Sequence, residues 1–156
     1  MGLFNRLLAR QDGTDAAAVV PAVSRTDLPP AVAAAILNEI DLDTAMAVHE
    51  AWKRQLQSYL SGPPNDKLNP TILCLDDRCD LGQWLHGPAN QRLGQYPFFS
   101  ILIARHKYFH EQAAAVVALA QAGKEEEALK AMEGGYRHAS VQVVLMLKAL
   151  KRGLRR

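Results

Sequence analysis

The chain predicts an all-α fold: an up-and-down bundle of about four main helices with a short cross-helix. Apolar residues recur at helical spacing over long stretches, no segment shows convincing strand alternation, and the connections between periodic stretches are short and rich in Pro and Gly. No internal repeat of 20–50 residues is present. At 156 residues the chain can bury one sizeable core and has no room for a second folded domain. Residues 31–153 are expected to form the bundle, with residues 1–30 as a preceding segment.

That segment has two parts. Met1 to Arg10 puts Leu3, Phe4, Leu7 and Leu8 on one side and Asn5, Arg6 and Arg10 on the other, the pattern of a short amphipathic helix able to make a weak membrane-surface contact. Residues 11–30, with Gly13, Pro21, Pro29 and Pro30, read as a flexible linker. A first long helix follows from Ala31 to about Leu60, with Ile36, Ile40, Met46, Trp52, Leu56 and Tyr59 as core positions. Asp43-Thr44 marks an expected break within it, because both side chains compete for backbone hydrogen bonds. Residues 61–76 form a Pro-containing connection, and a short helix covers about Cys79 to Leu85, stopped by Gly87-Pro88. Pro97 opens a long core helix that Gly123 closes. The last helix runs from about Lys124 to Lys151, with acidic residues in its first turn and basic ones in its last, as the helix dipole favours. Gly134-Gly135 is its expected weak point.

Eighteen Lys and Arg against sixteen Asp and Glu leave a net charge of +2, too slight to argue for a nucleic-acid partner. Two cysteines and no secretory apolar region with a cleavage site point to a reducing, cytoplasmic setting. The longest apolar stretches are interrupted by Arg, Lys, His and Gln, so no transmembrane helix is expected.

The chemistry-bearing residues start with His106 and His110, four apart on the long core helix and therefore on one face of it. Such a pair is half a metal site or two ordinary polar residues; their apolar neighbours Leu102, Phe109 and Ala113 favour the former, since a buried imidazole needs a partner. His49, between Val48 and Glu50 and three residues before Trp52, is a third ligand or a satisfied core histidine. Cys79, at a helix start beside Arg78, is expected to have a depressed pKa suited to a metal-binding thiolate, although a lone cysteine also serves as plain packing. Three imidazoles and one thiolate would complete a tetrahedral shell, a donor set that suits Zn²⁺ and leaves no position open for substrate.

The order of these residues resembles a known family. His49 and Trp52, then Cys79-x-Leu81-Gly82-x-Trp84-Leu85, then Pro97-x-Phe99, then His106-x-x-x-His110 is similar to the chemoreceptor zinc-binding domain, CZB, over about residues 41–150. The resemblance implies a small helical bundle holding one zinc through His49, Cys79, His106 and His110. It also implies a regulatory, non-enzymatic role in bacterial signalling, beside chemoreceptors or diguanylate cyclases, and pairing as a homodimer. Gln83 stands where members often carry Lys. No methyl-accepting helix or cyclase domain is present, so such a sensor is expected to act through a partner or to store zinc.

Two alternatives to the regulatory reading stay open: a zinc enzyme with an open fourth coordination site, and a structural-zinc adaptor that only dimerises. An H-E-x-x-H hydrolase is excluded because Lys107 stands where the glutamate base belongs. A di-iron bundle lacks its repeated Glu-x-x-His pattern. His86 and His138 are expected at the surface and Cys74 as a free thiol. Val116, Val117, Ala120, Val143, Val144 and Leu147 are candidates for the dimer interface, and Cys79, on the short helix with least expected packing, is the candidate redox switch.

Overall fold

The computed structural model describes residues 28–155, so the amphipathic segment expected over 1–10 and nearly all of the linker over 11–30 lie outside the described residues. Among these residues the fold is all-α, without a strand. Eight helices follow in order: α1 (Pro30–Glu39), α2 (Leu42–Ser61), α3 (Pro70–Leu73), α4 (Asp80–His86), α5 (Pro88–Leu93), α6 (Pro97–Gln121), α7 (Glu125–Ala131) and α8 (Arg137–Leu154).

The first expected helix is two. Its break lies at Ile40-Asp41 rather than Asp43-Thr44: Ile40 is extended, and the Asp41 carboxylate caps α2 by accepting from the Asp43 and Thr44 amides at 2.9 and 3.2 Å. Asp43 and Thr44 are thus donors to the cap, and the residue that competes for backbone groups is the one before them. The connection after α2 holds the single turn α3, capped by the Asn69 side chain. Gly87-Pro88 ends α4 and at once opens α5, because proline needs no amide partner in a first turn. The expected final helix is divided by a wide π turn over Met132–Tyr136, which contains both Gly134 and Gly135.

Helix α6 is the central element and packs on α2, α3, α7 and α8. Phe99, Leu102, His106, Phe109, Ala113 and Val116 form a buried stripe along it at steps of three and four. Gly123 closes its end at φ 75°, a left-handed conformation that lets the Lys124 amide reach back to the Leu119 carbonyl at 3.0 Å. Asp43 near the start of α2 pairs with Lys151 near the end of α8, so these two helices lie antiparallel. Helix α1 is tied to the far side by Glu39, which accepts from Arg92 at 2.7 Å and from the Trp84 indole at 3.1 Å. The Arg92 guanidinium holds the Glu39 carboxyl below the usual carboxylate range.

Of the expected core positions, Ile36, Met46 and Leu56 are buried, and Ile40, Trp52 and Tyr59 are half-buried. The expected interface residues are corrected by the packing. Val116, Val117, Val143, Val144 and Leu147 are buried within the chain itself, and only Ala120 is partly exposed. Two long helices in a small bundle use this apolar surface against each other.

Gly134 has open space where a side chain would stand and lies in a helical segment. Gly134→Ala should therefore stabilise the fold by about 0.5–1 kcal/mol, read as a higher urea midpoint; a lower midpoint would mean that the π turn needs glycine at this place.

Candidate metal centre

Two amphipathic stripes bring the histidines together. On α2, Leu42, Ala45, His49 and Leu56 share the buried face, so His49 occupies a position that packing alone would give to an apolar residue. On α6, His106 lies in the core stripe between Leu102 and Phe109, with His110 one turn on. His49, His106 and His110 are 2, 0 and 5 % exposed. Cys79 is the residue before α4, not its first turn; its Sγ caps the helix by accepting from the Gly82 amide at 3.3 Å.

The structure brings all four side chains to one point. Their donor atoms lie within 4.8 Å of one another, and Cys79 Sγ is 3.3 Å from His106 Nε2 and 3.5 Å from His110 Nε2. The other ring nitrogens face outward. Nδ1 of His49 meets the Ala45 carbonyl at 2.7 Å, and Nδ1 of His110 meets the Leu73 carbonyl at 2.9 Å. A carbonyl can only accept, so each of these Nδ1 atoms carries the proton and each Nε2 lone pair is left for the centre. The rings of His49 and His110 also rest against Phe109, with centroids 4.9 and 5.5 Å away, which fixes their tilt from behind.

Burial keeps all three imidazoles neutral. It pushes His49 and His110 below the usual histidine range and His106 down to about 2, with the neighbouring rings opposing a further charge at His49 and His106. Neutral imidazole is the form that binds a cation. The thiol behaves differently from expectation. Arg78 turns away to solvent beside Asp77, 3.7 Å from it, and burial pushes the Cys79 thiol up despite the backbone amides that favour its thiolate. Desolvation outweighs the helix terminus here, so it is a cation in contact that would hold the thiolate.

The short helix is better anchored than its length suggests. Leu81, Trp84 and Leu85 of α4 are all buried, and a side-chain atom at Gly82 would come within 1.7 Å of the Asp76 carbonyl oxygen. Each named residue of the Cys79-x-Leu81-Gly82-x-Trp84 block thus has a physical role: Cys79 caps, Leu81 fills the core, Gly82 admits a close backbone approach and Trp84 bonds to Glu39. Cys79 itself is only half-buried and lines two clefts of about 370 Å³ each. One is flanked by Glu39, Asp41, Asp80 and His49, the other by Trp52, Ile72, Leu75 and His110.

His138 is exposed, and His86 is exposed and paired with Asp76 at 2.7 Å. Cys74 is a free thiol bonded to the Thr71 carbonyl. Asp76 also lies 3.9 Å from Nδ1 of the buried His106. Sequence reasoning does not single it out, since nothing in the run Asp76-Asp77-Arg78 tells which carboxylate turns inward.

Three imidazoles held neutral in the fold but free to protonate on unfolding give the metal-free protein a definite pH dependence. Above about pH 6.5 both states are neutral and stability is flat; below it the unfolded chain takes up protons that the fold refuses, at up to about 1.4 kcal/mol per pH unit for each histidine. Chelator-treated protein should therefore show a lower urea midpoint at pH 5.5 than at pH 7.5. Equal midpoints would mean that the rings are not held neutral.

Residues 49–117 match the chemoreceptor zinc-binding domain family, CZB. Compared with curated proteins and with solved structures, the chain has no match in either. Among the described residues no helix is long and apolar enough to cross a membrane. All four converging side chains, from His49 to His110, fall inside the matched span, so the part of this chain that resembles a CZB domain is the part that holds the cluster.

Proposed function

We propose that this chain is a cytoplasmic, non-enzymatic zinc-binding regulator of bacterial signalling that acts through a partner of the chemoreceptor or diguanylate cyclase type. The observation that carries this reading is the convergence of three neutral imidazoles and one thiol, with two of the outward ring nitrogens held by carbonyls. Donors around a tetrahedral zinc lie about 3.3–3.6 Å apart, close to the 3.3 and 3.5 Å between Cys79 Sγ and the α6 histidines. Bound zinc supplies a positive charge that stabilises the Cys79 thiolate and a clamp that joins α2, α6 and the start of α4. Four protein donors leave no open position, which favours regulation over catalysis.

The accessibility of Cys79 favours an exchangeable centre over a sealed structural one. His49, His106 and His110 are anchored on long helices, whereas Cys79 faces two clefts through which chelators, thiols or peroxide reach it. Oxidation of its thiolate to the sulfenic acid, with peroxide reduced to water, removes the anionic donor. Ile72 and Leu75 are exposed at the edge of one cleft, where a partner would feel the change. Homodimerisation is part of this reading. With Val143, Val144 and Leu147 in the core, Val141 and Leu145, one turn apart, are the large apolar residues that α8 leaves exposed for it.

Purified protein should hold one zinc per chain. His49→Ala or His110→Ala should weaken binding by at least about 100-fold, more than outer-shell changes bring; elemental analysis with chelator competition measures both, and wild-type affinity in either variant would overturn the four-donor assignment. After a strong chelator has removed the zinc, helical circular dichroism should persist. Its collapse would identify a purely structural site.

A further inference from the structure

Each imidazole of the centre has an outward nitrogen, and two of the three are accounted for. Nδ1 of His106 is not: it is fully buried and has no hydrogen-bond partner. A buried donor left unpaired is destabilising, so its surroundings indicate what it waits for. The charged group that faces it is the Asp76 carboxylate, Oδ2 lying 3.9 Å away. That is beyond a hydrogen bond but within reach of a small side-chain rotation. On its other side the same oxygen is 2.7 Å from Nε2 of His86, the last residue of α4.

We propose that Asp76 is a positioning residue of the metal centre: its carboxylate takes the Nδ1 proton of His106 in a hydrogen bond while His86 holds that carboxylate from the solvent side. The proposal rests on the metal-binding reading above. A cation on Nε2 draws electron density from the ring and makes Nδ1–H a stronger donor, so the contact tightens when the centre is loaded. Asp76 is not a fifth donor, because it faces Nδ1, whereas Nε2 of His106 is the nitrogen turned to Cys79. The loop that carries it is docked through its backbone, not its carboxylate: the Asp76 carbonyl lies where a side chain at Gly82 would have to stand. Helix α4 therefore grips the centre at both ends, through Cys79 at its start and through the His86–Asp76 pair at its end.

Zinc affinity of wild type and Asp76→Asn, measured against a chromophoric chelator, tests this. Asp76→Asn keeps the side-chain shape and should still bind one zinc, about 10–100-fold more weakly. Its metal-free thermal midpoint should match wild type, and the absorption bands of its Co²⁺ form should shift because the His106 ring is no longer held. His86→Phe, at the exposed end of α4, is a second variant and should weaken binding by less than about 10-fold, since it removes the outer grip and keeps the acceptor. Wild-type affinity in Asp76→Asn overturns the proposal, as does a weaker affinity matched by a lower metal-free midpoint with an unchanged Co²⁺ spectrum. Absence of zinc binding in the wild-type protein would instead overturn the metal-binding reading itself.

Discussion

Three imidazoles buried in the seam between α2 and α6 have lost their hydration, and much of the surrounding structure is arranged to offset that loss. Packing alone would fill those positions with leucine or phenylalanine, as it does at Leu102 and Phe109 on either side of His106. Backbone carbonyls of Ala45 and Leu73 take two of the outward protons, and the thiol of Cys79 faces two of the inward lone pairs. A buried polar group without a partner is among the most destabilising features a core can hold. A cation at the centre of the cluster would satisfy every inward-facing atom at once.

The short helix α4 makes that centre part of the fold. Cys79 belongs to the centre and to the helix cap, and Trp84 passes the connection to Glu39 and so to α1. Glu39 in turn holds Arg92 of α5. A change at the metal edge of α4 is thus mechanically connected to α1 and α5 through buried or charge-assisted contacts.

Electrostatics inside the site are governed by burial more than by formal charge. The histidines are driven to their neutral, donating form, and the cysteine is driven toward the protonated thiol. The two effects oppose each other with respect to metal loading. The neutral imidazoles could coordinate as they stand, whereas the thiol would have to release a proton to bind a cation, which makes Cys79 the chemically conditional member of the group.

Much of this was legible in the chain alone. Helical periodicity with Pro and Gly at the joints determined an all-α fold, and helix geometry alone puts His106 and His110 on one face, whereas His49 and Cys79 were marked with them through the family resemblance that the Leu81-Gly82-x-Trp84 block carries. Other features depended on distance in space and were not legible. The α1–α2 break falls at Asp41 because that carboxylate happens to reach the amides after it, while Asp43 is drawn to Lys151 near the end of α8. Val143 and Leu147 are core rather than interface because α8 lies against α2 and α6. Arg78 leaves Cys79 for Asp77 and solvent, and burial then reverses the expected direction of the thiol pKa. Asp76 comes within 3.9 Å of His106, far from it along the chain, in a loop whose backbone packs against Gly82. Local propensity and spacing are properties of neighbours along the chain, whereas desolvation and second contacts are properties of whatever the fold brings near, and these only the tertiary structure decides.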